Sequence, residues 1–189
     1  MFKNKYNLPS RFLHRVVLSN NLIKDILFDF EKFFFKRKHD KLNQKNIFIS
    51  GLARSGTTIL NNFFFKTGHF ASFTYRDMPF VMAPNIWNLI TNKFQKDSGE
   101  IERAHDDNLK INYDSPENFD EIFFKTKLKG KYFLNDSLCE HKLNNEIIDD
   151  FKIYISNILL KNKKKFYLSK NNNNILRLNS LSEKFKDSF

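Results

Sequence analysis

A chain of 189 residues with 41% hydrophobic and 28% charged residues has enough apolar surface to bury a core as a single domain. Its net charge of +11 divides into +7 over residues 1–45, −2 over 46–160 and +6 over 161–189, and no basic stretch is interleaved with aromatics, which argues against a nucleic-acid-binding face. The longest apolar runs, such as Phe63 to Phe65, are far too short to span a bilayer, and the N-terminus mixes Lys, Arg and Asn into its apolar residues, unlike a signal peptide.

Residues 10–36 carry apolar side chains at helical spacing (Leu13, Val16, Val17, Ile23, Ile26, Leu27, Phe30, Phe33 and Phe34), which predicts one or two amphipathic helices before a polar connector at 37–46. A strand at 46–50, a loop and a helix at 57–67 follow, with Gly68 as C-cap. Phe70 to Tyr75 reads as a second strand, and Pro84 to Lys96 as a helix around Trp87. Ser115 followed by Pro116 has the form of a helix start, cap and then proline. That helix is expected to bury Phe119, Ile122 and Phe123 and to turn Glu117, Asp120 and Glu121 toward water, with Glu121 in reach of Lys125 one turn on. A longer helix covers 143–160 through Ile147, Phe151, Ile155, Ile158 and Leu159. A short strand at 166–168 precedes a helix at 175–186 with Ile175, Leu178, Leu181 and Phe185 on one face. Alternating strands and helices predict an α/β fold, a parallel sheet flanked by helices. It forms one domain over 1–189, with N-terminal helices in 1–45 and the α/β part in 46–189. Cys139 is the sole cysteine, which rules out an internal disulfide and agrees with a cytoplasmic location.

Within this layout the stretch 46–58, Asn-Ile-Phe-Ile-Ser-Gly-Leu-Ala-Arg-Ser-Gly-Thr-Thr, has the spacing of the phosphate-cradling loop G-x-x-x-x-G-K-[ST]. Gly51 and Gly56 permit close backbone approach, so several N–H groups can converge on one anion at the start of a helix. The lysine is missing. Thr57 stands in its place, and the loop's one cation is Arg54, whose planar fork matches a pair of phosphate or sulfuryl oxygens. Ser55, Thr57 and Thr58 add hydroxyl donors. ATPases and GTPases need that lysine for the β- and γ-phosphates, so this loop is built for a different anion. A second constellation lies at 168–177, Leu-Ser-Lys-Asn-Asn-Asn-Asn-Ile-Leu-Arg, where a strand hands over to a helix. Lys170 at such a strand end can reach an anion held by the first loop, and Asn171 to Asn174 supply caps, donors and acceptors.

Taken together these stretches resemble the sulfotransferases that use 3′-phosphoadenosine 5′-phosphosulfate (PAPS), in particular the bacterial group related to tyrosylprotein sulfotransferases. Arg54 to Thr58 read R-S-G-T-T, and Lys170-Asn171 follow a strand about a hundred residues on, as in many members. Phe12 to Arg15, Arg76 to Phe80, Ala104 to Asp107 and Asp114 to Glu121 are similar to further segments of that group, so the likeness extends over most of the chain. The resemblance implies a P-loop-type fold with a five-stranded parallel sheet and PAPS as co-substrate. It implies sulfuryl transfer by in-line displacement to a hydroxyl or amine of a small-molecule, glycan or peptide acceptor, with no metal.

In-line transfer needs a base for the acceptor proton and fixed cations for the charge that builds on the sulfuryl oxygens and leaving phosphate. Arg54 and Lys170 are the candidate cations, and Gly51, Arg54, Ser55, Gly56, Thr57 and Thr58 the candidate cofactor-binding residues. His105, Glu117 and Glu121 are candidates for the base, and the resemblance favours His105 and Glu121. An ATP-dependent small-molecule kinase and a non-catalytic binding protein on the same fold stay open. The sulfotransferase resemblance further implies two later strands, an R-[DN]-P segment and a serine that hold the donor's 3′-phosphate. The sequence ends at Phe189 before them, which leads to the expectation of a truncated chain with weak or no activity of its own.

Overall fold

Two helices open the fold, α1 (Leu8–Ser19) and α2 (Asn21–His39). They part at Asn20, whose side-chain oxygen accepts from Leu22 N at 2.9 Å and so caps the second helix. The computed structural model describes residues 8–39, 45–91, 101–102, 110–186 and 188. Along them follow β1 (Lys45–Ile49), α3 (Thr57–Lys66), β2 (Phe70–Ala71), a 3-10 turn (Tyr75–Asp77) and α4 (Pro84–Thr91). Then come β3 (Ile101–Glu102), β4 (Lys110–Ile111), α5 (Asp120–Lys127), α6 (Asn145–Asn162), β5 (Phe166–Lys170), a second 3-10 turn (Asn172–Arg177) and α7 (Leu178–Lys184).

β1, β5 and β2 form a parallel sheet in that order, and β3 and β4 make a separate antiparallel pair. β5, central and flanked on both sides, is buried at Tyr167, Leu168 and Ser169, so its side chains must suit both faces. The pleat assigns those faces by register, because Asn46 and Phe48 lie opposite Tyr167 and Ser169. On this side Phe48 meets Phe151 of α6 at 6.1 Å between ring centroids and Phe185 at 5.4 Å. The opposite side holds Phe166 and Phe70, and Phe64 of α3 packs on Phe70 at 5.8 Å. α6 is capped by Asn144, which accepts from Ile147 N at 2.8 Å, and it ends with Lys163 in the left-handed region. Its buried stripe of Ile148, Phe151, Ile155, Ile158 and Leu159 joins Phe28, Phe123, Phe124, Tyr154 and Tyr167 in one aromatic-rich core.

Several expectations change. Among the described residues the parallel sheet has the three strands expected in this chain, but their bounds and surroundings differ. The second strand stops at Ala71, because Thr74 forms an antiparallel bridge with Pro116 and Glu117 N donates to Phe73 O at 3.1 Å. The same pairing holds 115–119 out of a helix. Ser115 Oγ accepts from Asn112 N at 2.9 Å and so closes a turn instead of capping, and α5 begins at Asp120. Asp120 is buried, with only 3% of its surface exposed, not turned to water. The stretch 175–186 starts as a 3-10 turn, leaving Ile175 and Leu178 exposed while Leu181 and Phe185 are buried. Of the helix expected over 84–96, residues 92–96 lie outside the described residues.

α2 differs too. Ile26, Phe30, Phe33 and Phe34 are exposed, and the buried stripe is Lys24, Phe28 and Glu31. Glu31 is drawn inside by α4, for its carboxylate accepts from Asn85 N at 2.8 Å, Asn85 Nδ2 at 2.7 Å and Ile86 N at 3.0 Å. The two backbone N–H groups are first-turn donors that α4 cannot satisfy itself, at the positive end of its dipole. Burial nonetheless raises the Glu31 carboxyl above its ordinary range, against the pull of those hydrogen bonds. No described helix is long and apolar enough to cross a membrane. Glu31→Ala should strand buried donors and lower unfolding stability by roughly 2–3 kcal/mol, read from urea midpoints. A change within a few tenths of a kcal/mol would refute the capping role.

Candidate functional site

The loop between β1 and α3 is folded tightly on itself. Ser55 N and Ser55 Oγ both donate to Leu52 O, at 3.3 and 2.7 Å. Gly51 faces this turn so closely that an added Cβ would lie 2.8 Å from Ser55 Oγ and 3.0 Å from Thr57 Cγ2. Gly56 caps α3 at φ 83 without a side-chain cap bond, and Arg54 is itself at φ 68. Arg54 and Gly56, both at positive φ on either side of Ser55, turn the chain tightly into the N-terminus of α3. Arg54 is exposed, and Thr57 and Thr58 are half-buried.

Parallel pairing brings the second constellation to this loop. Ile49, the last residue of β1, lies in register with Lys170, the last of β5. Asn171 N donates to Ile49 O at 2.9 Å, Ser50 Oγ to Asn172 O at 3.3 Å, and Thr57 Oγ1 reaches Asn172 Oδ1 at 3.5 Å. The bridge at Thr74–Pro116 then delivers Glu117. Its Oε1 stands 3.9 Å from Lys170 Nζ, and its Oε2 accepts from Tyr75 Oη at 2.9 Å. Loop, Lys170, Tyr75 and Glu117 therefore gather at the carboxyl end of the sheet, where open α/β folds bind ligands.

Glu121 is placed differently. Its carboxylate accepts from Arg177 Nη2 at 2.7 Å, from Asn171 Nδ2 at 2.8 Å and from Tyr132 Oη. It does not pair with Lys125. Burial works to raise its carboxyl, but the Arg177 guanidinium and the surrounding donors outweigh that and hold it below the ordinary range. Arg177 is 1% exposed, with its guanidinium 3.9 Å over the Phe124 ring and 5.4 Å from that of Tyr132. Neighbouring Asp120 accepts from the hydroxyls of Tyr167 and Ser169 in the core, and burial pushes its carboxyl up to about 6. His105 lies outside the described residues. Among the described residues no group of three or more His, Cys, Asp or Glu side chains comes together as metal ligands would.

The importance of Asp120, Tyr132 and Arg177 is missed by a reading of periodicity alone. One signal is present nonetheless. Phe123 and Phe124 flank Asp120 on both sides of the helical wheel, so its carboxylate is drawn toward the apolar face.

No family model matches the chain, and no curated protein matches it. A solved structure does match, over 100% of this chain, with a TM-score of 0.59 and 12% identity. It is the sulfotransferase STF1 of Mycobacterium tuberculosis H37Rv. The chain has a sulfotransferase-like fold. It spans 56% of the mycobacterial chain's length.

The two carboxylates of α5 give opposite pH signatures. Asp120, ordinarily near 3.8 and raised to about 6, binds its proton more tightly when folded, so its contribution to stability falls as pH rises from about 4 to about 6. Glu121, lowered from 4.5, contributes stability that is present above that value and lost as pH falls through its folded pKa. Urea unfolding at stepped pH should show the fall between about pH 4 and 6 flatten in Asp120→Asn but persist in Glu121→Gln. An unchanged slope in Asp120→Asn would refute the assignment.

Proposed function

We propose that this chain is a sulfotransferase domain of P-loop type that binds PAPS through residues 51–58 and transfers its sulfuryl group to a hydroxyl or amine. The observation that carries the reading is the register of β1 with β5, which joins a glycine loop lacking the ATPase lysine to Lys170. The fold likeness to a mycobacterial sulfotransferase supports it. The loop suits a phosphosulfate: Gly51 lets Ser55 and Thr57 pack close in the turn where a side chain would clash, and Gly56 frees the helix N-terminus toward an anion.

In this reading the acceptor oxygen attacks sulfur as the bond from sulfur to the phosphate oxygen breaks, and the bonding pair leaves with the phosphate. Arg54 and Lys170 oppose the charge that builds on the sulfuryl and leaving oxygens. The acceptor proton passes to Glu117, whose carboxylate is oriented by Tyr75 and lies beside Lys170. Glu117 suits this role better than Glu121, which is paired with the buried Arg177 and whose basicity is lowered. The acceptor belongs to the small molecules, glycans or peptides with a free hydroxyl or amine.

Adenosine 3′,5′-bisphosphate should raise the melting temperature without added divalent metal, while ATP with magnesium should not. The reverse pattern would replace this reading with a kinase. Arg54→Ala should lower turnover on the order of a hundredfold, and Glu117→Gln by at least as much, with urea midpoints close to that of the parent. A Glu117→Gln protein of near-normal rate would return the role of base to another residue.

A further inference from the structure

The mechanism above leaves one buried side chain without a task, although its bonds run to the end of β1, to the neighbour of Glu117 and to Glu121. Asn171 has no exposed surface. Its backbone N–H donates to Ile49 O, at the entrance to the anion loop, and its peptide follows directly on Lys170. Its Oδ1 accepts from Asn118 Nδ2 at 3.2 Å, one residue from Glu117, and from Asn173 N at 3.0 Å. Its Nδ2 donates to Glu121 Oε2 at 2.8 Å. Glu121 is fixed in turn by Arg177, which also donates from Nε to Asn173 O at 3.3 Å.

From this geometry we infer that Asn171 is a positioning residue that sets Glu117 and Lys170 against the anion loop, with the buried Glu121–Arg177 pair as its anchor. An asparagine suits this position because one amide carries a donor and an acceptor a fixed distance apart. The donor side is tied to the half-buried Glu121 carboxylate and the acceptor side to the 115–119 segment. Neither side has water as an alternative partner, so the bonds resist exchange. Glu117 sits on a stretch joined to the sheet by the isolated bridge at Thr74–Pro116 and by its own N–H on Phe73 O. The Asn118–Asn171 bond adds a tie from that stretch to the residue directly after β5, beside the approach of Glu117 to Lys170.

The catalytic part of this inference rests on the sulfotransferase reading; the structural part does not. Hydrogen exchange in the absence of any substrate tests the structural part with Asn171→Ala and, as a gentler cut, Asn118→Ala. Asn118 is half-buried, so its loss leaves the core intact. Both variants should exchange faster in peptides covering 115–119, and Asn171→Ala also in 50–57, with unchanged protection in α6. Acceleration confined to 171–177, or wild-type exchange at 115–119 in Asn118→Ala, would overturn the proposal.

Kinetics with PAPS tests the remainder. Asn171→Ala should lower kcat on the order of a hundredfold, the scale of a slight misplacement, while the Kd for adenosine 3′,5′-bisphosphate changes less than threefold. The double variant Asn171→Ala/Glu117→Gln should lose clearly less than the product of the two single losses, because part of the effect of Asn171 runs through Glu117. Additive losses would overturn it. A wild-type chain that neither binds the bisphosphate nor transfers sulfate would overturn the proposed function, and the exchange experiment would still decide the role of Asn171.

Discussion

Two adjacent carboxylates placed inside an aromatic core have to be satisfied on the spot, and the arrangement around Asp120 and Glu121 follows from that requirement. An uncompensated buried charge costs several kcal/mol, so each needs dedicated donors. Asp120 finds them in Tyr167 and Ser169, which point to one side of β5. Glu121 finds them in Arg177, Tyr132 and Asn171, which come from beyond the end of that strand and from the loop after α5. Helix α5 is thereby fastened at once to the middle of the sheet and to its carboxyl edge. The geometry at that edge inherits this rigidity. Glu117 lies just before the fastened helix, and Lys170 lies within the fastened strand.

The same solution recurs at the other side of the core. Glu31 crosses from α2 to close the first turn of α4, and Lys127 of α5 bridges Asp25 and Asp150, each at 3.1 Å. Lys161 reaches Asp77, which also accepts from Thr74 N at 2.9 Å. In each case a charged group on one element completes the polar needs of another. Helix packing here is specified by such joints as well as by the phenylalanines, which are numerous but interchangeable in shape.

These joints mark where the sequence could be read and where it could not. The loop from Gly51 to Thr58, β1, α3, α6 and the strand ending at Lys170 rest on local signals: glycine spacing, short apolar runs, a cap, a helical stripe. They lie within a few residues of the positions expected. Ser115-Pro116 carries an equally clear local signal, yet the chain there is extended, because a partner forty residues upstream, Thr74, takes its backbone. The inward turn of Asp120 depends on Tyr167 and Ser169, far along the chain. For α2 the wheel offers a broad apolar face through Phe30, Phe33 and Phe34. The buried stripe nonetheless runs through Glu31, since its carboxylate takes up the donors at the start of α4. Long-range polar complementarity has no period, so no pattern within one segment announces it.

The strand order β1-β5-β2 has a consequence for how the molecule is made. β1 and β2 are neighbours in sequence but never touch, and each waits for β5 to fill the gap between them. Ser50 and Asn172, which meet across that pairing, are separated by 122 residues. At a ribosomal rate of about 5–20 residues per second, this stretch takes on the order of ten seconds to emerge. For all that time the two outer strands have unpaired edges, and the phenylalanines of α3 have no sheet to cover. Non-local pairing of this kind is slow to close and leaves strand edges open to other chains in the interval. The loop between β1 and α3 therefore leaves the ribosome early and is among the last features to acquire its shape.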